Sequence, residues 1–136
     1  MLQGKDIANE YARGVSIAPV VKTASVNGTA VDFNDCGPEV ISTLASTAHL
    51  PILETVGTCI VKLQESADTT SANFTDITSA THTTLTKTRQ AATSDAVEAK
   101  VFATRAKRYV RAVATIAGTS PSFTISVVLE APKSSY

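Results

Sequence analysis

Four stretches of this chain carry an apolar residue at every second position. In 58–66, Cys59, Val61 and Leu63 stand against Lys62, Gln64 and Ser66. In 96–103, Val97, Ala99, Val101 and Ala103 fall into line, and in 108–117 so do Val110, Ala112, Ala114 and Ile116. In 123–130, Phe123, Ile125, Val127 and Leu129 oppose Thr124 and Ser126. A period of two puts successive side chains on opposite faces of a strand, so each segment has one buried face and one wet face. Several such strands, separated by turn residues and without a convincing long helix, predict an all-β antiparallel sandwich or jelly roll.

The 136 residues suit one domain, large enough to bury a core without staples. Aromatic residues make up only 5% and Trp is absent, so that core must be built from Val, Ile, Leu and Ala. Lys and Arg number 12, as do Asp and Glu. A near-neutral chain exerts no strong pull on nucleic acid or anionic lipid. It also repels its own copies only weakly, which is tolerable in an assembly. Cys36 and Cys59 are too few for a disulfide framework, and both are expected as free thiols. The N-terminus lacks a basic start followed by an apolar run, so no signal peptide is expected, and no stretch approaches a membrane span. The expectation is synthesis in the cytoplasm.

The chain divides into an arm over 1–19, a single β domain over 20–133 and a short tail over 134–136. Gly14 and Pro19 punctuate the arm. Residues 20–26 end at Asn27-Gly28, a strong hairpin signal, and 29–33 would be the return strand. Asn34 to Pro38 is turn-rich. Val40, Ile41, Leu44 and Ala45 favour a strand by β-branched content, although their spacing also fits a helix. Residues 67–73 form a polar turn, 74–77 a short return strand, 81–88 a weak strand and 89–95 a loop.

Motifs for catalysis are missing. There is no Gly-x-Ser-x-Gly elbow, Gly-rich phosphate loop, His-Glu-x-x-His or Cys-x-x-Cys. His49 and His82 are lone residues expected at the surface, too few for a zinc site. Asp32, Asn34 and Asp35 beside Gly37-Pro38 read as turn chemistry rather than a calcium loop. Distant carboxylates can meet across a sandwich, but no pair is favoured. The chain is expected to be no enzyme and to hold no cofactor or metal.

Two features are candidate protein interfaces. Arg105, Lys107, Arg108 and Arg111 are the densest charge cluster. The strand phase puts Arg105, Lys107, Tyr109 and Arg111 on one face, a ridge that could dock on an acidic protein surface. The plainer reading is a solvated strand face paired with nearby acids. Leu50, Pro51 and Ile52, with Leu53, form an apolar loop that either offers a contact surface or folds back over one end of the core.

The run from Val61 through Lys62-Leu63-Gln64-Glu65-Ser66-Ala67 to Asp68, followed by Asn73-Phe74-Thr75-Asp76-Ile77-Thr78, has a further significance. So does Lys107-Arg108-Tyr109-Val110-Arg111-Ala112-Val113-Ala114, continuing through Gly118-Thr119-Ser120-Pro121-Ser122. Over residues 55–130 this layout resembles a family of small proteins encoded near the head genes of tailed bacteriophages. The arm and the 49–53 loop lie outside the family pattern. The resemblance implies a β-sandwich capsid decoration, or cement, protein. It would sit on the virion surface as a homo-oligomer, often a trimer, and bridge major capsid subunits. The partners it implies are the major capsid protein and further copies of the chain, with no nucleic acid and no membrane. The alternatives are another virion part (tail, head fibre or head–tail connector) and a small carbohydrate-binding or adhesion module. The last would need exposed aromatics for stacking on sugars, and the chain offers only Tyr11, Tyr109 and Tyr136 with no Trp.

Overall fold

The computed structural model describes residues 11–48, 57–82, 85–87, 95–118 and 123–133. Within them lie β1 (Tyr11–Lys22), β2 (Val26–Asn27), β3 (Val31–Asp32), β4 (Glu39–Ala48) and β5 (Gly57–Ser66). After a 3-10 turn at Ser71–Asn73 follow β6 (Thr75–Thr81), β7 (Leu85–Lys87), β8 (Asp95–Thr104), β9 (Tyr109–Gly118) and β10 (Phe123–Pro132). All pairings are antiparallel.

The first sheet runs β1-β10-β4-β8. At the centre of the second, β9 pairs with β5. β2 and β3 lie end to end along the outer side of β9, and β6 and β7 end to end along the outer side of β5. The ten strands among the described residues therefore occupy eight lanes. Numbered along the chain, the lanes fall in the order 1-8-3-6 in one sheet and 2-7-4-5 in the other. The all-β antiparallel sandwich expected from the alternation is the observed architecture.

The core is the sum of the inward halves of these strands. Val40 and Leu44 of β4 and Ile125, Val127 and Leu129 of β10 face Cys59, Val61 and Leu63 of β5 and Val110, Ala112, Ala114 and Ile116 of β9, all buried. Phe33 and Phe123 are the largest side chains sealed inside. Each large apolar side chain so buried contributes about 1.5–3 kcal/mol. Inward Val40, Ser42, Leu44 and Ser46 alternate with half-exposed or exposed neighbours, which decides 40–45 as strand rather than helix.

Two expectations are corrected. The arm over 1–19 gives way at Tyr11 to β1, which pairs with β10 along most of its length. Its alternation was hidden because the register slips between Val15 and Ile17 and again between Ile17 and Val20. Such irregularities turn consecutive residues the same way, and Ser16 and Ile17 are both buried. Pro19 is tolerated because β1 is an edge strand.

Asn27-Gly28 makes no hairpin. β2 and β3 both pair with β9 instead of with each other. The glycine serves close backbone approach: a Cβ there would lie 2.7 Å from the carbonyl oxygens of Ala112 and Ser16. Those strands sit in different sheets, so Gly28 lies at a close approach of the two layers. The Gly28 amide donates to Ala112 O and the Thr29 amide to Ser16 O, each at 2.7 Å.

Candidate interaction surfaces

The basic cluster does not form one strand face. β9 begins only at Tyr109, so 105–108 is the bend leading into it. The side chain of Arg105 turns onto the 33–37 loop. Its Nη2 donates to the carbonyls of Phe33 (2.8 Å) and Cys36 (2.6 Å), its Nε to Gly37 (3.2 Å) and its Nη1 to Lys107 (2.9 Å). The guanidinium also lies 5.9 Å from the Phe33 ring centre. A planar fork with five donors suits this clustering of carbonyls.

Arg108 forms a two-pronged pair with Asp32, Nε to Oδ1 at 2.8 Å and Nη2 to Oδ2 at 2.7 Å. That hydrogen bonding holds the Asp32 carboxyl below its ordinary pKa. Asp32 also accepts the amide of Asn34 at 3.0 Å, the turn chemistry read from the sequence. Lys107 Nζ donates to Thr75 Oγ1 at 3.1 Å, and its amide and that of Ala106 converge on Glu65 Oε2 at 3.1 and 2.6 Å.

Arg111 is only 8% exposed although it points outward from β9. Nε and Nη2 donate to Gln64 Oε1 at 3.1 and 2.9 Å, and Nη1 to Ser71 Oγ at 2.9 Å. The guanidinium stacks 4.2 Å from the Phe74 ring centre. The ladder continues outward, with Gln64 Nε2 donating to Asp76 Oδ1 at 2.8 Å and Lys62 Nζ to Asp76 Oδ2 at 2.7 Å. Among the described residues, Lys62 and Arg111 on the outer face of the second sheet are thus engaged by their own chain, with Ile60 of β5 37% exposed on the same face. Leu50, Pro51 and Ile52 lie outside the described residues.

The outer face of the first sheet is different. One row across its strands reads Arg13, Glu130, Ile41, Phe102, and the next reads Val15, Val128, Thr43, Lys100. Phe102 is 73% exposed and Val15 50%. Arg13 and Glu130 approach at 3.8 Å at one end of their row. The sequence held a signal for Phe102, since it lies opposite the line of Val97, Ala99, Val101 and Ala103 and so had to face water.

His82 is not at the surface, as expected, but 2% exposed. Its amide donates to Val61 O at 2.8 Å, which continues the lane beside β5 and turns the ring inward. Its Nε2 lies 2.9 Å from Ser42 Oγ, on the inner face of the opposite sheet, while Nδ1 has no hydrogen-bond partner. Burial depresses the imidazole pKa. Ser42 is itself fully buried, and the Ser–His pair joins the two sheets. His49 lies outside the described residues.

Cys59 sits in the core, where burial pushes its thiol up to about 11, and Cys36 is half-buried with its pKa also raised by desolvation. Both are free thiols. A cleft of about 220 Å³ opens between the end of β1 and β2, lined by Ile17, Val20, Lys22, Val26 and Asn27 among others. It is smaller than the roughly 300–1,000 Å³ of usual small-molecule sites. Among the described residues no group of three or more His, Cys, Asp or Glu is placed to hold a metal ion, and no helix is long and apolar enough to cross a membrane. Comparison with models of protein families, with curated proteins and with solved structures finds no match in any of the three.

Proposed function

We propose that this chain is a structural virion protein, a decoration or cement protein bound to the outer surface of a tailed-phage head. In this reading it bridges major capsid subunits as a homo-oligomer. Support comes first from the resemblance over residues 55–130. The lane order 1-8-3-6 against 2-7-4-5 adds to it, and we read that winding as a jelly roll. Jelly rolls recur in viral capsid and lectin domains, so the architecture is compatible with the role without carrying it.

The observation that carries the reading is the contrast between the two outer faces. The second sheet spends its charged groups on itself, through Arg111, Gln64, Asp76 and Lys62. The first leaves Phe102 and Val15 exposed to water, with half-buried Ile41 and Val128 beside them. A cement protein works by burying surface, and most of the exposed large apolar side chains among the described residues lie on strands of the first sheet. Repetition of a modest contact over a shell adds avidity.

The test is a reconstruction of the parent particle by cryo-electron microscopy. The expected result is density for this sandwich in hundreds of copies on the outer shell, with the first sheet toward the capsid. A handful of copies at the neck or tail would select the other virion role. Absence of the chain from the particle would overturn both.

A further inference from the structure

The four sheet edges are not alike. β1 is interrupted by two register slips and fastened to the other layer through Ser16 and Thr29. The second sheet ends in the short pieces β2 and β3 on one side, and in β6 and β7 on the other. These are the devices that blunt an edge against pairing with another chain. β8 has none of them. It pairs with β4 from Thr104 to Asp95 without a slip, and no described strand lies on its other side.

The orientation of its free backbone groups follows from one bond. The Arg105 amide donates to Pro38 O at 2.8 Å. In an antiparallel ladder, alternate residues turn their amide and carbonyl toward the same neighbour. Ala103, Val101, Ala99 and Val97 therefore bond to β4, and Thr104, Phe102, Lys100 and Glu98 present theirs along the open edge. The same residues carry the outward side chains, all exposed.

We propose that β8 pairs with the β8 of a second copy, antiparallel, about a two-fold axis at Ala99. The edge residues of both copies must face one another for the backbone groups to bond. With the axis at Ala99, Glu98 comes opposite the partner's Lys100, and Lys100 opposite the partner's Glu98. Sliding the strands by two residues in either direction sets Lys100 against the partner's Lys100 or Glu98 against the partner's Glu98. Among the described residues neither Glu98 nor Lys100 has an ion-pair partner within its own chain. The two charges, two residues apart on one face, are complementary to their own copy turned around. Phe102 comes opposite position 96 of the partner and is covered in part by the added strand. The result is one sheet running through both copies, β1-β10-β4-β8 continued by the partner's strands in reverse. This two-fold contact is independent of the virion role, and it also fits between larger rings of the same chain.

Sedimentation equilibrium of the purified chain tests this together with charge exchange. The expected assembly contains an even number of copies. Glu98→Lys and Lys100→Glu should each weaken the contact about tenfold, because opposite charges become like charges in both symmetric pairs. Mixing the two variants should restore it, since each then presents the charge the other needs. Ala99→Cys should give a disulfide-linked dimer, because facing residues at a non-hydrogen-bonded position lie about 4.5 Å apart, within reach of a bridge. Circular dichroism of each variant checks that the fold is intact. A monomer at all concentrations, an odd-numbered assembly indifferent to the exchanges, or variants that fail to recover on mixing would overturn the proposal. Pairing of β8 with another extended peptide in preference to itself would do the same.

Discussion

The Oγ of Ser16 accepts the amide hydrogen of Ala112 at 2.8 Å and donates its own hydrogen to Thr29 O at 2.9 Å. One hydroxyl on the edge of the first sheet thus stands in for a strand partner of β9, in the gap where residues 28–30 leave the ladder. Ser16→Ala should cost about 1–3 kcal/mol, since the Ala112 amide is buried and would be left unmade. Gly28→Ala should cost about 3 kcal/mol, because the added methyl meets backbone oxygens that cannot swing aside. Urea unfolding of both variants gives the measurement. Equal stability of Ser16→Ala and the parent would mean that water replaces the hydroxyl.

Arg105 and Arg108 are close in the chain and alike in charge, yet their replacement should differ. Arg105→Ala removes the donors of four carbonyls in and beside the 33–37 loop and should cost about 2–3 kcal/mol. Arg105→Lys should recover only a minor part, because a point charge cannot reproduce the fork. Arg108→Ala breaks an exposed pair with Asp32 and should move the midpoint little. If both positions prove equally tolerant in thermal melts, Arg105 is not the loop's fastening.

The contrast between these arginines shows where sequence reading stops. Alternation made β5, β8, β9 and β10 legible because each has one inner and one outer face. It also made Phe102 legible as outward. It could not reveal β1, where the slips around Ser16 break the period, or the role of Gly28, which depends on the approach of two layers distant in sequence. The basic residues were visible as a cluster. Whether each faces a partner or its own loop depends on where the 33–37 carbonyls, Asp32 and the Ser71–Asn73 turn arrive in space, and no local pattern encodes that. His82 was misplaced for the same reason: its neighbours in sequence are polar, while Ser42 and Val61 hold it inside.

Cys59 should be chemically silent in the folded chain. With a pKa of about 11, roughly one thiol in a thousand is ionised near pH 8, and the side chain is sealed besides. With an aromatic disulfide reagent, Cys36 should react first and Cys59 only as the sandwich opens. In urea sufficient to unfold the chain, both should react at similar rates. Rapid labelling of Cys59 in native buffer would contradict the packing of β5 against β9.

His82 should make stability depend on pH in a window of its own. Burial lowers its folded pKa below the ordinary 6.5, so the unfolded chain binds the proton more readily. The neutral ring's contribution is complete above about pH 6.5; it declines as pH falls and is lost once pH has passed through the folded pKa. Asp32, Asp68 and Asp76 are also depressed, by Arg108, by the amide of Thr70 with Asn73, and by Lys62 with Gln64. Their contribution persists above the ordinary carboxylate value of 3.8 and is lost only below it, so it is separable from that of His82. Urea midpoints measured between about pH 7.5 and pH 4.5 should therefore fall for the parent chain and flatten for His82→Leu. That variant leaves Ser42 Oγ without its partner and will start from lower stability at neutral pH. The slope, rather than the starting value, is what reports the imidazole, and an identical slope in both proteins would place the titrating group elsewhere.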